Sequence, residues 1–263
     1  MRISTICLKC AQDSNIKDLC NSFPDYNDGM FTYTCRNGHN NYIRLINNKF
    51  ELLYDSAIIC YYNGQYRECI MNIFSCIESF YEYIIRLLLY AKGNNIIDDV
   101  IKSTKQIDKR SEYREGAFFA ICKAYLNKDF CIKEKYKSLR NTLIHNGDFT
   151  IQQKSYDFAK YIYNFISECY LDVQKLVGKD KIKEFELRFQ DYKFRGYDVE
   201  HEVVIQTTML QGGYLEESFE NELENFKYKA SNNYFINNYC NNNFNYLFYM
   251  LNNELNTFEE GLL

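Results

Sequence analysis

One proline stands in 263 residues, and there is no tryptophan. Proline is the usual breaker of helices, so a chain this poor in it is expected to run in long uninterrupted ones. No stretch approaches the ~18 consecutive apolar residues of a membrane-crossing helix. The longest apolar pieces, such as Ile84 to Tyr90, are short and broken at Arg86. The N-terminal MRISTICLKC lacks the apolar centre of a secretory signal, so the expected location is cytoplasmic, with no membrane partner. Histidine occurs three times, at 39, 145 and 201, which leaves few places for imidazole chemistry. Phosphate-cradling glycine loops, dinucleotide fingerprints, nucleophile elbows and H-E-x-x-H are all missing. Nucleotide hydrolases, dehydrogenases, serine hydrolases and zinc proteases are therefore disfavoured.

What is present is an ordinary globular composition, 46% hydrophobic and 25% charged, long enough to bury a core. Its departures are 25 Tyr, 20 Phe, 11 Cys and 29 Asn, with 13 of the Asn beyond residue 220. Eleven is an odd count for a disulfide framework, and most of the cysteines read as reduced, buried, small hydrophobes. The net charge of −4 is unevenly spread. From Tyr214 to Leu263 eight Glu stand against Lys227 and Lys229, a net of −6, which leaves the rest of the chain at +2. An anionic partner for that body is thus not excluded.

Three regions follow. Residues 1–46 hold the single proline, Pro24, the turn-forming Asp25-Tyr26-Asn27-Asp28-Gly29 and a short alternating run from Met30 to Cys35. They form a small zinc-ribbon-like module with too little apolar mass to fold unaided. Residues 47–178 carry the helical period. Phe50, Leu53, Tyr54, Ala57, Ile58 and Tyr61 lead to a stop at Asn63-Gly64. Ile70, Ile73, Phe74, Ile77, Tyr81, Ile84 and Leu88 mark a second helix over about 65–91. Further helices are expected at about 114–126, 130–145 and 151–177, with 94–112 a loop or short helix. Residues 179–263 form a C-terminal extension of helical and mixed character, acidic and rich in Asn and Tyr, with a β-leaning piece from His201 to Leu210. The fold class is mainly α.

Two constellations carry chemistry. In the first, Cys7-Leu8-Lys9-Cys10 is followed by Cys35-Arg36-Asn37-Gly38-His39. Two ligand pairs on tight turns deliver the four tetrahedral donors that zinc takes, and the metal would supply folding energy that the module otherwise lacks. Cys20 is an alternative fourth ligand, and ordinary thiols of a cysteine-rich chain are the plainer reading. With four protein ligands the zinc is structural.

The second constellation closes the fourth helix as Arg140-Asn141-Thr142-Leu143-Ile144-His145, ahead of Asn146-Gly147. An Arg, a polar neighbour and a His four residues beyond, at the end of a helix in an all-α bundle, resembles the Rx4–6H signature of the HEPN superfamily (higher eukaryotes and prokaryotes nucleotide-binding). The resemblance covers roughly residues 47–178. It implies an antiparallel HEPN-like bundle and metal-independent cleavage of RNA by a homodimer whose two motifs face each other. It also implies a toxin or abortive-infection effector, with an antitoxin, a phage-derived trigger or another regulatory protein as partner. Glu78, on the second helix, matches an acidic residue that many HEPN proteins keep near the motif to pair with the Arg. A half-exposed charge at a helix boundary is the plainer reading. No cofactor is expected for catalysis. The alternative function is a non-catalytic HEPN-like module that binds RNA, a nucleotide or a protein.

The residue types suit the chemistry. RNA carries its own nucleophile in the 2′-hydroxyl, so the protein must move a proton and neutralise a phosphate. An imidazole can both take up and give back a proton, the role that falls to His145, and the guanidinium of Arg140 can bind two phosphate oxygens at once. Asn141, one turn before His145, can orient it or the phosphate. Five positions separate Arg140 from His145, about 140° around a helix. Either the helix frays before Asn146, or the two residues flank a groove completed by a second copy. Lys133, Lys135, Tyr136 and Lys137 form a basic stretch with an aromatic residue that suits phosphates and a stacked base. A solvated helix face is the alternative.

Overall fold

The computed structural model describes residues 3–7, 10, 19–22, 30–35, 37–45, 47–195, 202–204, 209–210 and 217–231. Its helices are α1 (Lys49–Tyr62), α2 (Tyr66–Lys92), α3 (Ile97–Thr104), α4 (Ser111–Leu126), α5 (Glu134–His145), α6 (Gln152–Val177), α7 (Lys179–Lys193) and α8 (Phe219–Ser231). Five short strands accompany them: β1 (Ile3–Ile6), β2 (Leu19–Ser22), β3 (Met30–Thr34), β4 (Asn40–Leu45) and β5 (Glu202–Val204). The protein is mainly helical. The region expected as a loop or short helix contains α3 and one 3₁₀ turn, Ile107–Lys109.

α2 is the axis of the bundle. It packs against α1, α3, α4, α5, α6 and α7. Its buried positions wrap most of the way round, including Ile70, Ile73, Ile77, Phe80, Tyr81, Ile84, Ile85, Leu87 and Leu88. A helix apolar over so much of its circumference requires cover on several sides. Its remaining edge carries Glu78, Glu82 and Arg86. Arg86 breaks the apolar run because it is needed there: it pairs with Glu82 and reaches Asp108 at 2.6 Å.

α1 and α2 form a hairpin closed by the predicted Asn63-Gly64 stop. Gln65 N–H bonds to Cys60 O at 2.9 Å, and Gly64 N–H to Tyr61 O at 3.1 Å. This double bond pattern satisfies the last carbonyls of α1 and requires the φ of +74° that Gly64 supplies. The core itself is aromatic. Phe50 meets Phe80 edge-on at 5.3 Å, Tyr81 stacks on Phe118 at 4.2 Å, and Phe130 stands perpendicular to Phe165 at 5.9 Å. The buried Tyr54 keeps its hydroxyl paired by donating to Ala159 O at 2.8 Å. Cys69, Cys76, Cys122 and Cys169 fill this core as free thiols, whereas Cys131 is exposed.

β1 and β2 pair antiparallel, and so do β3 and β4. β5 adds parallel to β4, Ile43 opposite Glu202, which ties the C-terminal extension to the N-terminal module. Further along, α8 docks through Phe219 against Tyr156 and Tyr163, and Lys160 pairs with Glu220. Of the β-leaning segment only 202–204 is a described strand; His201 and residues 232–263 lie outside the described residues.

Where β4 hands over to α1 lies a buried polar knot. Asn47 and Asn48 each donate to the buried Glu51 at 3.2 Å. Asn48 also reaches Glu186 at 3.2 Å, and Tyr83 donates to Glu186 at 2.8 Å. Burial pushes the Glu51 carboxyl from 4.5 up to about 7, against the hydrogen bonds from Asn48 and Asn47, and also raises Glu186. The folded state therefore holds these protons more tightly than the unfolded chain does. The stability that Glu51 contributes is complete below about pH 4.5 and is lost as pH rises through about 7, and Glu186 acts in the same direction. For Glu51 the loss is on the order of 3 kcal/mol. Chemical unfolding of wild type between pH 5 and 8 should show stability falling with pH. Glu51→Gln should flatten that slope, and an unchanged slope would show that Glu51 stays ionised in the fold.

Candidate functional site

The N-terminal constellation closes on itself. The ligand atoms of Cys7, Cys10, Cys35 and His39 all lie within 4.8 Å of one another. Cys10 Sγ is 3.5 Å from Cys35 Sγ and 3.3 Å from His39 Nδ1, and Cys7 Sγ is 3.7 Å from His39 Nδ1. The edges of a tetrahedral Cys₃His centre are about 3.8 Å between sulfurs and about 3.6 Å between sulfur and nitrogen. The four donors thus stand at the spacing of one metal ion. The turn that presents Cys35 and His39 is closed by Gly38 N–H to Cys35 O at 2.9 Å and Cys35 N–H to His39 O at 3.0 Å. Gly38 takes a φ of +82° there, a conformation that glycine adopts without strain.

Supporting donors surround the sulfurs. Asn37 Nδ2 lies 3.2 Å from Cys10 Sγ, and His39 N–H points at Cys35 Sγ at 3.3 Å. Burial nonetheless pushes the Cys10 thiol up to about 11. A cation beside the Cys10 sulfur would favour its thiolate. Cys20, the alternative ligand, sits in β2 opposite Thr5; its side chain lies outside the described residues. Among the described residues this is the only such group of His, Cys, Asp and Glu side chains.

The helical constellation is arranged differently from a single compact site. Arg140 Nη2 reaches Glu78 Oε1 at 3.4 Å, and its guanidinium lies over the Phe74 ring at 5.3 Å. Arg114, on α4, takes the other oxygen of Glu78 at 3.2 Å. One carboxylate from α2 therefore bridges arginines of α4 and α5. Arg67, in the first turn of α2, donates to Leu143 O at 3.4 Å and so caps the last turn of the motif helix. α5 stays helical through His145, with Asn146 N–H bonded to Thr142 O at 3.1 Å. No fraying brings the motif residues onto one face. Arg140 is half-buried toward Glu78, while Asn141 and His145 face solvent. His145 makes no hydrogen bond or ion pair with any described residue.

The basic stretch divides. Tyr136 is buried, stacked on Phe158 at 4.6 Å and Tyr161 at 4.7 Å. It belongs to the core and offers no face to a base, which corrects the reading of Tyr136 as a stacking residue. Lys137 is paired with Glu115 at 2.6 Å. Lys133 and Lys135 are exposed, with their ammonium groups over Tyr161 and Tyr136 at 5.0 and 4.7 Å. Arg114 and Arg67 carried no sequence signal: they approach Glu78 and Leu143 from 36 and 76 residues away along the chain.

Comparison with family models, with curated proteins and with solved structures returns no match for this chain. No described helix is long and apolar enough to cross a membrane.

Elemental analysis of purified protein should find one equivalent of tightly held metal per chain. Cys10→Ser should release it and lower the protease resistance of residues 1–46, leaving the far-UV helical signal intact. Full metal content in Cys10→Ser would exclude the Cys₃His set.

Proposed function

We propose that the chain is a HEPN-type endoribonuclease that acts as a homodimer, its N-terminal module stapled by a structural zinc ion. The observation that carries this reading is the pairing of Glu78 with Arg140. A carboxylate on the central helix α2 anchors the motif arginine of α5, while the imidazole at the end of α5 stays open to solvent.

The chemistry follows from these groups. His145 accepts the proton of the RNA 2′-hydroxyl as its oxygen bonds to the adjacent phosphorus. The bond from phosphorus to the 5′-oxygen breaks, and a protonated imidazole returns a proton to that leaving oxygen. Arg140 neutralises charge on the non-bridging oxygens, with Asn141 as a further donor. Glu78 is a positioning residue that fixes the guanidinium. Acid and base must stand on opposite sides of one phosphate, and a single chain offers one histidine at this place. His145 of a second copy supplies the other. Ile144, Phe149 and Ile151, exposed on both sides of the α5–α6 turn, suit such an interface; Phe149 is 91% exposed. Zinc fits the first constellation by the softness of three thiolates and one imidazole, and four protein ligands leave no position for a reacting water. RNA cutting without an outside reactant must be restrained in the cell, which suits a toxin or antiphage effector with a regulatory protein partner. A non-catalytic RNA-binding module is the second reading. It is favoured by the intact helix through His145, on which the half-buried Arg140 and the exposed His145 face different sides, so one chain does not bring both to one phosphate.

Full-length protein should cleave single-stranded RNA without added divalent metal. His145→Ala and Arg140→Ala should each lower the rate by at least about 100-fold, with the dimer mass and melting temperature preserved. Cleavage undiminished in both variants would sink the nuclease assignment. Absent cleavage with unchanged RNA affinity would leave the binding module.

A further inference from the structure

A second concave site lies at the junction of four helices. A cavity of about 480 Å³ is lined by Tyr61 and Tyr62 of α1, Tyr66 of α2, Tyr156 of α6, and Glu220 and Glu224 of α8. Tyr61 is its centre, with ring centroids 5.6 Å from Tyr62, 6.0 Å from Tyr66 and 6.3 Å from Tyr156. The rings are tilted against one another by 69°, 57° and 47°. Three hydroxyls are pinned at the margins. Gln152 donates to Tyr61 at 3.2 Å, Tyr62 donates to Leu223 O at 3.1 Å, and Tyr156 donates to Glu220 at 3.3 Å. The aromatic faces are thereby fixed before any ligand arrives.

Charge decides what such a box would hold. Glu220 is matched by Lys160. Glu224 is exposed and makes no ion pair with any described residue. Burial, and after it the field of Glu224, push the Tyr62 hydroxyl up to about 12, so that carboxylate acts on the cavity wall. Electron-rich ring faces and a carboxylate with no ion pair among the described residues both favour a cation. The shape narrows it further. A planar base or guanidinium is best held between parallel rings, whereas mutually tilted rings enclose a rounded group from several sides.

We propose that this cavity binds an organic cation of the alkylammonium class. Its headgroup sits among Tyr61, Tyr62, Tyr66 and Tyr156, with Glu224 as counter-ion. None of these residues belongs to the RNA-cleaving constellation, and the site stands whether or not that reading holds. Because α8 supplies the carboxylates, an occupied cavity also ties the acidic extension to the bundle.

The test is calorimetric titration of full-length protein with choline chloride and, separately, with 3,3-dimethyl-1-butanol, its neutral isostere. Choline should bind saturably, and the isostere about tenfold more weakly or worse. Glu224→Gln and Tyr62→Leu should each weaken choline binding severalfold, with the melting temperature of Glu224→Gln unchanged. Absent saturation by choline in wild type overturns the proposal. Equal binding of the isostere overturns it too, since the cavity would then be merely apolar. Unchanged affinity in Glu224→Gln places the binding elsewhere. Displacement of choline by guanosine or uridine monophosphate at lower concentration would make the cavity a nucleobase slot instead.

Discussion

A helix that is apolar around most of its circumference must be covered on several sides, and α2 imposes that condition on the rest of the chain. Six other helices pack against it. α1 is held there by the turn at Gly64, α4 by the stacking of Phe118 on Tyr81, and α7 by Phe185, which lies edge-on to Tyr83 at 5.8 Å. The large aromatic content follows from the same condition. With no tryptophan available, Phe and Tyr rings in tilted and stacked contacts fill the spaces between so many helices.

The polar edge of α2 has the opposite function. Glu78, Glu82 and Arg86 stay out of the core: Glu78 recruits Arg114 and Arg140 from α4 and α5, Arg86 recruits Asp108, and Glu82 pairs with Arg86 on α2 itself. Part-exposed ion pairs contribute little to stability, so their value lies in geometry. Glu78 fixes where Arg140 sits, and Arg67 fixes the end of the helix that carries His145. Core packing and the motif share a single element: displacement of α2 would disturb both.

The N-terminal module solves the folding problem by other means. Its four ligand atoms, gathered within 4.8 Å, could hold a metal ion, whose binding would supply folding energy that the short described strands do not. β5 then fastens this module to the C-terminal extension, and the buried knot of Asn47, Asn48, Glu51 and Glu186 fastens its exit to the bundle. Two carboxyls buried at that joint cost stability as the pH rises.

Much of this was legible in the residues alone, because it depends on local spacing. Apolar positions three and four apart located α1, α2 and α6 to within a few residues, and CxxC with CxxxH located the Cys/His cluster that could hold a metal. The Asn-Gly pair at 63–64 marked a true helix end. What spacing could not determine was the partner of a side chain. Tyr136, read as a surface aromatic among lysines, is buried because α6 brings Phe158 and Tyr161 against it. Arg114 and Arg67 join the motif only through helix packing, and the tyrosine cavity exists only because α8 closes over the ends of α1, α2 and α6. The sequence by itself determined the long helices of the bundle and the short list of residues that can hold a metal, Cys20 among them, since period and ligand spacing are properties of neighbouring residues. The tertiary structure alone decided which charges meet and which rings face a cavity, because those depend on contacts between segments far apart in the chain.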